Sequence, residues 1–258
     1  MTKTINIELG KESYDILIAE NLLNSPAANF AQLKSYSKII IITDGNIAKT
    51  HLTTLTNSLN SVNLKFETLI IKPGEQQKSF QSLEKHCEEI LRLQPDRNSL
   101  IIAFGGGVVG DLSGFIASIM LRGIDFIQIP TSLLAQVDSS IGGKTAINSK
   151  NGKNLIGSFY QPKLVLIDIN MLDTLSEREY YAGYAEIVKY GLINSADFFQ
   201  LLDTNRDKVK NRDKKFLAQI IATSCQAKAE IVAQDSKEKG IRALLNLGHS
   251  FAHSLEKE

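Results

Sequence analysis

The stretch Ser99-Leu-Ile-Ile-Ala-Phe-Gly-Gly-Gly-Val-Val-Gly-Asp-Leu-Ser-Gly-Phe-Ile-Ala-Ser-Ile-Met-Leu-Arg-Gly123 decides the fold. Leu100 to Phe104 is a continuous apolar run, the pattern of a strand buried on both faces of a parallel sheet. Three glycines follow, and Val108 to Met120 then has the length and composition of a buried helix. A strand, a glycine turn and a helix together bring backbone N–H groups and the positive end of a helix up to an anion such as phosphate. Gly105, Gly107 and Gly110 fall on the G-x-G-x-x-G spacing, which suits a dinucleotide cradle and equally a plain tight turn. Asp111 and the small residues Ser113 and Gly114 on the helix suggest a surface approached closely by another group.

The flanking chain extends the α/β pattern. Thr4 to Leu9 and Tyr14 to Ile18 alternate about Gly10-Lys11-Glu12 and read as a β-hairpin. Lys38 to Asp44 is a second buried strand ending in an acid, and Asp44 suits either a ribose-binding carboxylate or a helix cap. Residues 47 to 62 read as a helix and Phe66 to Ile71 as a strand, followed by the Pro73-Gly74 turn with Glu75 and Lys78 beyond it. Loops at strand carboxyl ends line the ligand crevice of an open α/β sheet, so this one is a candidate. Ser79 caps a helix running to about Leu93, and Asp125 to Ile129 and Leu164 to Ile167 are further strands. Strands alternating with helices predict a parallel sheet.

Between the last two strands, Pro130 to Ala146 has no clean periodicity and concentrates hydroxyls, Asp138, two glycines and Lys144. Asn151-Gly-Lys-Asn154 adds a cation and an amide. Gly142-Gly-Lys-Thr145 lacks the glycine four residues upstream that a phosphate-binding loop of nucleotidases needs, so that motif is rejected. The donors still suit an anionic small molecule, with Leu133, Leu134 and Val137 expected to be buried beside them.

From the capping box at Ser176 onward the chain reads as helical, with breaks near Asn194, 203–213 and 235–240. A division falls near residue 175: an α/β unit over 1–175 and a helical unit over 176–258. Glu186 and Lys189 share a face of a helix that is otherwise apolar or small, and buried charges require a partner, a metal or a ligand. Lys228 falls on the apolar stripe Leu217, Ile221, Ser224, Ile231 and points inward. His249 and His253 stand one helical turn apart beside Arg242 and Asn246, a spacing that permits two ligands on one face.

The totals exclude several classes. The 258 residues carry 29 basic and 28 acidic side chains, a net charge of +1, so no global field favours nucleic acid or anionic lipid. The start of the chain has no apolar signal core and no run reaches membrane-spanning length, which points to a cytoplasmic protein. Cys87 and Cys225 are too far apart in sequence to suggest a zinc ribbon or a disulfide framework, and both read as small buried side chains in a reducing compartment.

Five segments taken in order resemble the 3-dehydroquinate synthase family, from about residue 38 to the chain end: Pro73 to Lys78, Gly105 to Asp111, Pro130 to Thr145, Tyr184 to Gly191 and Arg242 to His253. The resemblance implies a Rossmann-like N-terminal domain with a parallel sheet, a helical C-terminal domain, tightly held NAD and a divalent metal, zinc or cobalt. By position it implies that Asp44, Pro73, Gly74, Glu75, Gln76, Gln77 and Lys78 face NAD. The turn residues Gly106, Gly107, Val108, Val109, Gly110 and Asp111 join them, with Thr131, Ser132, Lys144, Lys153, Met171, Leu172, Asp173 and Thr174. Ser132 replaces a more usual threonine and keeps the hydroxyl. Glu186 and His249 resemble two metal ligands. Asp138, Lys144, Lys153, Asn154, Lys189, Lys228, Arg242, Asn246 and His253 resemble the substrate shell, and Arg122 resembles a residue lent by the other subunit of a homodimer.

The implied reaction closes the sugar acid phosphate DAHP to 3-dehydroquinate in the shikimate pathway. It passes through transient oxidation at C5, phosphate elimination, return of hydride, ring opening and aldol closure. Lys144, Asn154, Asn246, His253 and Arg122 would then serve mainly the phosphate, and Lys228 with Arg242 the carboxylate. Rival readings are a related sugar-phosphate cyclase, a metal-dependent NAD polyol dehydrogenase and a non-catalytic nucleotide-binding module. The chain stops at Leu255-Glu-Lys-Glu258 within a helical pattern, before a further histidine ligand that the family carries. On that basis the helical unit is expected to be incomplete, deficient in metal and nearly inactive as it stands.

Overall fold

The computed structural model describes residues 2–25, 29–235 and 240–248. A seven-stranded sheet has the order β1-β2-β9-β6-β5-β3-β4. Its members are β1 (Lys3–Ile7), β2 (Tyr14–Ala19), β3 (Lys38–Asp44), β4 (Phe66–Ile71), β5 (Ser99–Gly105), β6 (Asp125–Pro130) and β9 (Leu164–Asp168). The hairpin partner β1 runs antiparallel to β2, and every other pairing is parallel. β5 is buried along its whole length and β3 over Ile39–Ile42, as expected of central strands covered on both faces.

The helices between β3 and β6 are α1 (Gly45–Thr50), α2 (Leu52–Ser61), α3 (Phe80–Arg92) and α4 (Gly107–Ile119). The single helix expected over 47–62 is two, broken at His51, whose ring turns inward and meets the Thr174 hydroxyl at 2.6 Å. Ile39, Ile41, Leu55, Leu59, Ile102 and Phe104 form the core on one face. Ile40, Ile42, Leu83, Ile101, Leu112 and Ile116 form it on the other.

The aperiodic segment after β6 is not a loop. Ala135–Ser139 is a short π-helix, and β7 (Lys144–Ser149) with β8 (Gly152–Phe159) forms a separate hairpin. Gly142 and Gly143 have φ of 90° and 66° and lead into a strand, whereas a nucleotidase phosphate loop leads into a helix. Leu133 and Val137 are buried, but Leu134 is 40% exposed, against expectation. Hairpin and α4 pack closely: a Cβ on Gly114 would stand 2.4 Å from the Thr145 Cγ2.

The helical part is α5 (Glu177–Asn194), α6 (Ala196–Thr204), α7 (Arg206–Lys210) and α8 (Lys214–Gln234), with breaks where the polar interruptions fall, followed by a 3₁₀ turn at Ile241–Asn246. Side chains of Ser176 and Asp213 cap α5 and α8. Their core is continuous with the sheet: Ile16 and Ile18 of β2 and Val165 and Ile167 of β9 cluster with Tyr180, Ile187, Leu217 and Ile221. α5 buries one face and leaves Tyr181 and Leu192 exposed, so it is not buried all round. Cys225 is buried, and Cys87 is half-buried.

Candidate active site

After the β1–β2 hairpin at the opposite edge, the chain crosses to β3, steps outward to β4, then returns past β3 to β5. That reversal opens a crevice outside the carboxyl ends of β3 and β5, where open α/β sheets bind nucleotides. Nearly all the residues expected at NAD lie on segments that leave the carboxyl ends of five parallel strands. Asp44 ends β3, Pro73 to Lys78 follow β4, Gly106 to Asp111 follow β5, Thr131 and Ser132 follow β6, and Met171 to Thr174 follow β9. The Pro73 ring approaches Gly45, where a Cβ would lie 3.9 Å from Cδ.

The glycine turn is built for close approach. Cβ atoms on Gly106 and Gly107 would stand 3.5 and 3.1 Å from the Ser132 and Ser139 hydroxyls. One on Gly110 would stand 2.7 Å from the Gln128 side chain, so this glycine lets α4 lie against β6. No side chain caps the start of α4, whereas Asp44 and Ser79 cap α1 and α3. Its first N–H groups are thus available to an anion. Asp44 accepts from Asn46 N and Ile47 N, both through Oδ1, which is the capping alternative. Val109, Met171 and Leu172 direct their side chains into the cores, which leaves only their backbone for a ligand. These features fit a dinucleotide.

Lys78, 4% exposed, joins the crevice to the hairpin. Its ammonium lies 2.6 Å from Asp111 Oδ2, donates to Asn154 Oδ1 and stands 3.8 Å from Glu75. Burial pushes the Asp111 carboxyl up to about 6, with Lys78 pulling the other way. Asp111, Lys144, Asn154 and Phe159 line a cleft of about 370 Å³. Lys144 and Lys153 are exposed at their surfaces. Arg122 is exposed at the far end of α4, in a turn where Leu121, Arg122 and Gly123 have φ of 51°, 72° and 116°.

A second constellation sits where the π-helix meets the helical part. Lys228 donates to Asp138 Oδ1 at 2.5 Å and to Asp138 O at 2.7 Å. Burial lowers the Lys228 ammonium below the ordinary lysine range, and Asp138 works against that shift. Arg242, 1% exposed, donates to Gly142 O at 3.1 Å. Glu186 forms an ion pair with Lys189, whose ammonium also donates to Leu245 O at 2.6 Å. Burial raises the Glu186 carboxyl, as does Asp138 nearby, while Lys189 and Lys228 pull it down.

Two tyrosines that read in sequence only as apolar positions complete the setting. Tyr190 donates to Val137 O at 3.3 Å, and the Tyr14 hydroxyl accepts from Gly142 N at 3.1 Å. Asn246 ends the 3₁₀ turn, while His249 and His253 lie outside the described residues. Among the described residues no three His, Cys, Asp or Glu side chains are grouped to hold a metal. The buried Glu186, whose charge requires a cation beside it, fits one ligand position. Among these residues no helix is long and apolar enough to cross a membrane.

Family models described as 3-dehydroquinate synthase N-terminal and C-terminal match residues 68–182 and 183–258. The 3-dehydroquinate synthase of Rhizobium etli (strain CIAT 652) is 50% identical over 254 residues, which are 98% of this chain and 67% of that protein. A crystal structure of 2-deoxy-scyllo-inosose synthase complexed with carbaglucose-6-phosphate, NAD+ and Co2+ is similar with a TM-score of 0.87 and 26% identity. The match covers 98% of this chain and 70% of that one. ValA, the 2-epi-5-epi-valiolone synthase of Streptomyces hygroscopicus subsp. jinggangensis 5008 with NAD+ and Zn2+ bound, has a TM-score of 0.85 and 30% identity. The match covers 94% of this chain and 68% of that one.

Proposed function

The chain belongs to the 3-dehydroquinate synthase family, and from that premise we propose that it closes DAHP to 3-dehydroquinate with loss of phosphate, using NAD and a divalent metal. The observation that carries this reading is the convergence of the five strand-end loops on one crevice, with the Lys78–Asp111–Asn154 junction at its edge. Bound NAD would supply a reversible hydride acceptor, and zinc or cobalt would polarise the oxygen at the reacting carbon.

The chain's own residues then bind and orient. The uncapped start of α4 suits the pyrophosphate, and the Glu75–Lys78 loop lies over the same crevice. Lys144, Lys153 and Asn154 supply cation and amide donors for the substrate phosphate, with Asn246 and His253. Lys228 and Arg242, which meet the 138–142 segment from α8 and the following turn, are assigned to the carboxylate. Glu186 is assigned to the metal with His249, and its ion-pair partner Lys189 to the substrate shell beside it.

A homodimer is part of the reading, and so is a division into an α/β unit over 1–175 and a helical unit beyond it. α4 is 13 residues long, about 20 Å at 1.5 Å per residue, and Arg122 lies past its far end. It can therefore serve the crevice of a second copy better than its own. A small polar substrate and the paucity of thiols suit a cytoplasmic enzyme.

The test is phosphate release from DAHP by the full-length protein with catalytic NAD and zinc or cobalt. Release without accumulation of NADH is expected. Stoichiometric NADH would instead indicate a polyol dehydrogenase, and turnover confined to a different sugar phosphate would indicate a related cyclase. The first of these rivals leaves the Lys144, Lys153 and Asn154 group without a purpose.

A further inference from the structure

Asn148 sits at an irregularity in the β7–β8 hairpin. Ile147 pairs with Ile156 and Ser149 with Gly152, so this one residue of β7 faces residues 153–155 of β8. Such a bulge leaves ladder groups unpaired and re-aims side chains. The orphaned N–H of Asn154, a residue held at φ 57°, is taken up by Asn148 Oδ1 at 2.8 Å. The other end of the same amide, Nδ2, donates to Glu75 Oε1 at 2.8 Å. The Asn148 backbone N–H donates to Lys78 O, also at 2.8 Å. The ring closes because Lys78 donates to Asn154 Oδ1.

We propose that Asn148 is a positioning residue that joins the nucleotide loop at Glu75–Lys78 to the anion-binding bulge at Lys153–Asn154. NAD affinity and anion affinity then rise and fall together through one side-chain amide. The inference rests on the reading above, in which the loop faces NAD and the bulge faces the substrate phosphate. The chemistry asks for a short side chain that donates to a carboxylate while accepting from an N–H. Asparagine does both at this length, aspartate only accepts, and alanine does neither.

The test uses the whole chain and two probes, NAD and inorganic phosphate, each titrated calorimetrically at pH 7.5 with and without the other. Asn148→Asp keeps the acceptor for Asn154 but sets a carboxylate against Glu75. It is expected to weaken NAD about tenfold, the scale of one charged hydrogen bond, while phosphate binding alone stays near wild type. Asn148→Ala is expected to weaken both probes and to abolish the mutual enhancement. Adding Glu75→Gln to Asn148→Asp returns a donor to the pair, so the second change should cost NAD less in that background than in wild type. A purely structural role would leave the mutual enhancement of NAD and phosphate intact in both single variants. Wild-type chain that binds no NAD would overturn the nucleotide reading and the coupling together. Wild-type binding with Asn148→Asp unchanged, or with strictly additive costs, would overturn the coupling alone.

Discussion

His51 shows how a residue outside any motif becomes part of the site. It stands between α1 and α2, and its Nε2 meets the Thr174 hydroxyl at 2.6 Å, tying the junction of those helices to the segment after β9. Burial lowers its pKa from 6.5, against the attraction of Asp168 and Asp173, the latter paired with Lys214. A depressed pKa means that the folded state binds fewer protons than the unfolded one. The stability contributed by the neutral ring is therefore complete above pH 6.5 and is lost as the pH falls through the lowered folded value. His51→Gln is expected to cost about 1 kcal/mol at pH 8, the worth of a hydrogen bond. That gap to wild type should narrow between pH 7.5 and pH 5 in thermal melts. A gap that widens on acidification would contradict the sign.

At the scale of elements, α5 depends on a glycine more for what lies beside it than for its own backbone. A Cβ on Gly183 would stand 2.5 Å from Leu134 N and 2.7 Å from Leu133 Cβ. Gly183→Ala should favour the isolated helix by up to about 1 kcal/mol. In the protein it meets backbone that no rotamer change can clear, and a net loss of about 1–3 kcal/mol is expected. The urea midpoint measures it, and a higher midpoint would refute the packing argument. The central strands were legible from residues 38–44 and 99–105 because runs of Ile, Leu and Phe buried on both faces leave few alternatives. The β7–β8 hairpin was not, because Lys144-Thr-Ala-Ile-Asn-Ser149 and Gly152-Lys-Asn-Leu-Ile-Gly-Ser-Phe159 mix small and polar residues around a bulge that destroys the period of two. Identities at the site were readable, but the partners were not. Nothing local announces that Lys78 will reach Asn154, 76 residues away, or that Tyr190 will close on Val137.

At the scale of the molecule, the helical part completes the sheet's own core, since β2 and β9 supply Ile16, Ile18, Val165 and Ile167 to the cluster that buries α5 and α8. Elements that share one core unfold together. Far-ultraviolet and near-ultraviolet dichroism should therefore trace one coincident thermal transition, whereas two separated transitions would show that the helical part and the sheet are independent. The polarity of the sheet has a practical consequence as well. Every loop of the crevice hangs from the carboxyl rim, which leaves the amino rim for handling. Lys65 is exposed there, just before the edge strand β4. The native thiols compete poorly, since Cys87 is half-buried and burial pushes Cys225 up to about 12. Lys65→Cys thus offers an anchor for a dye or a sensor surface that would hold the molecule with its crevice turned outward to the solution.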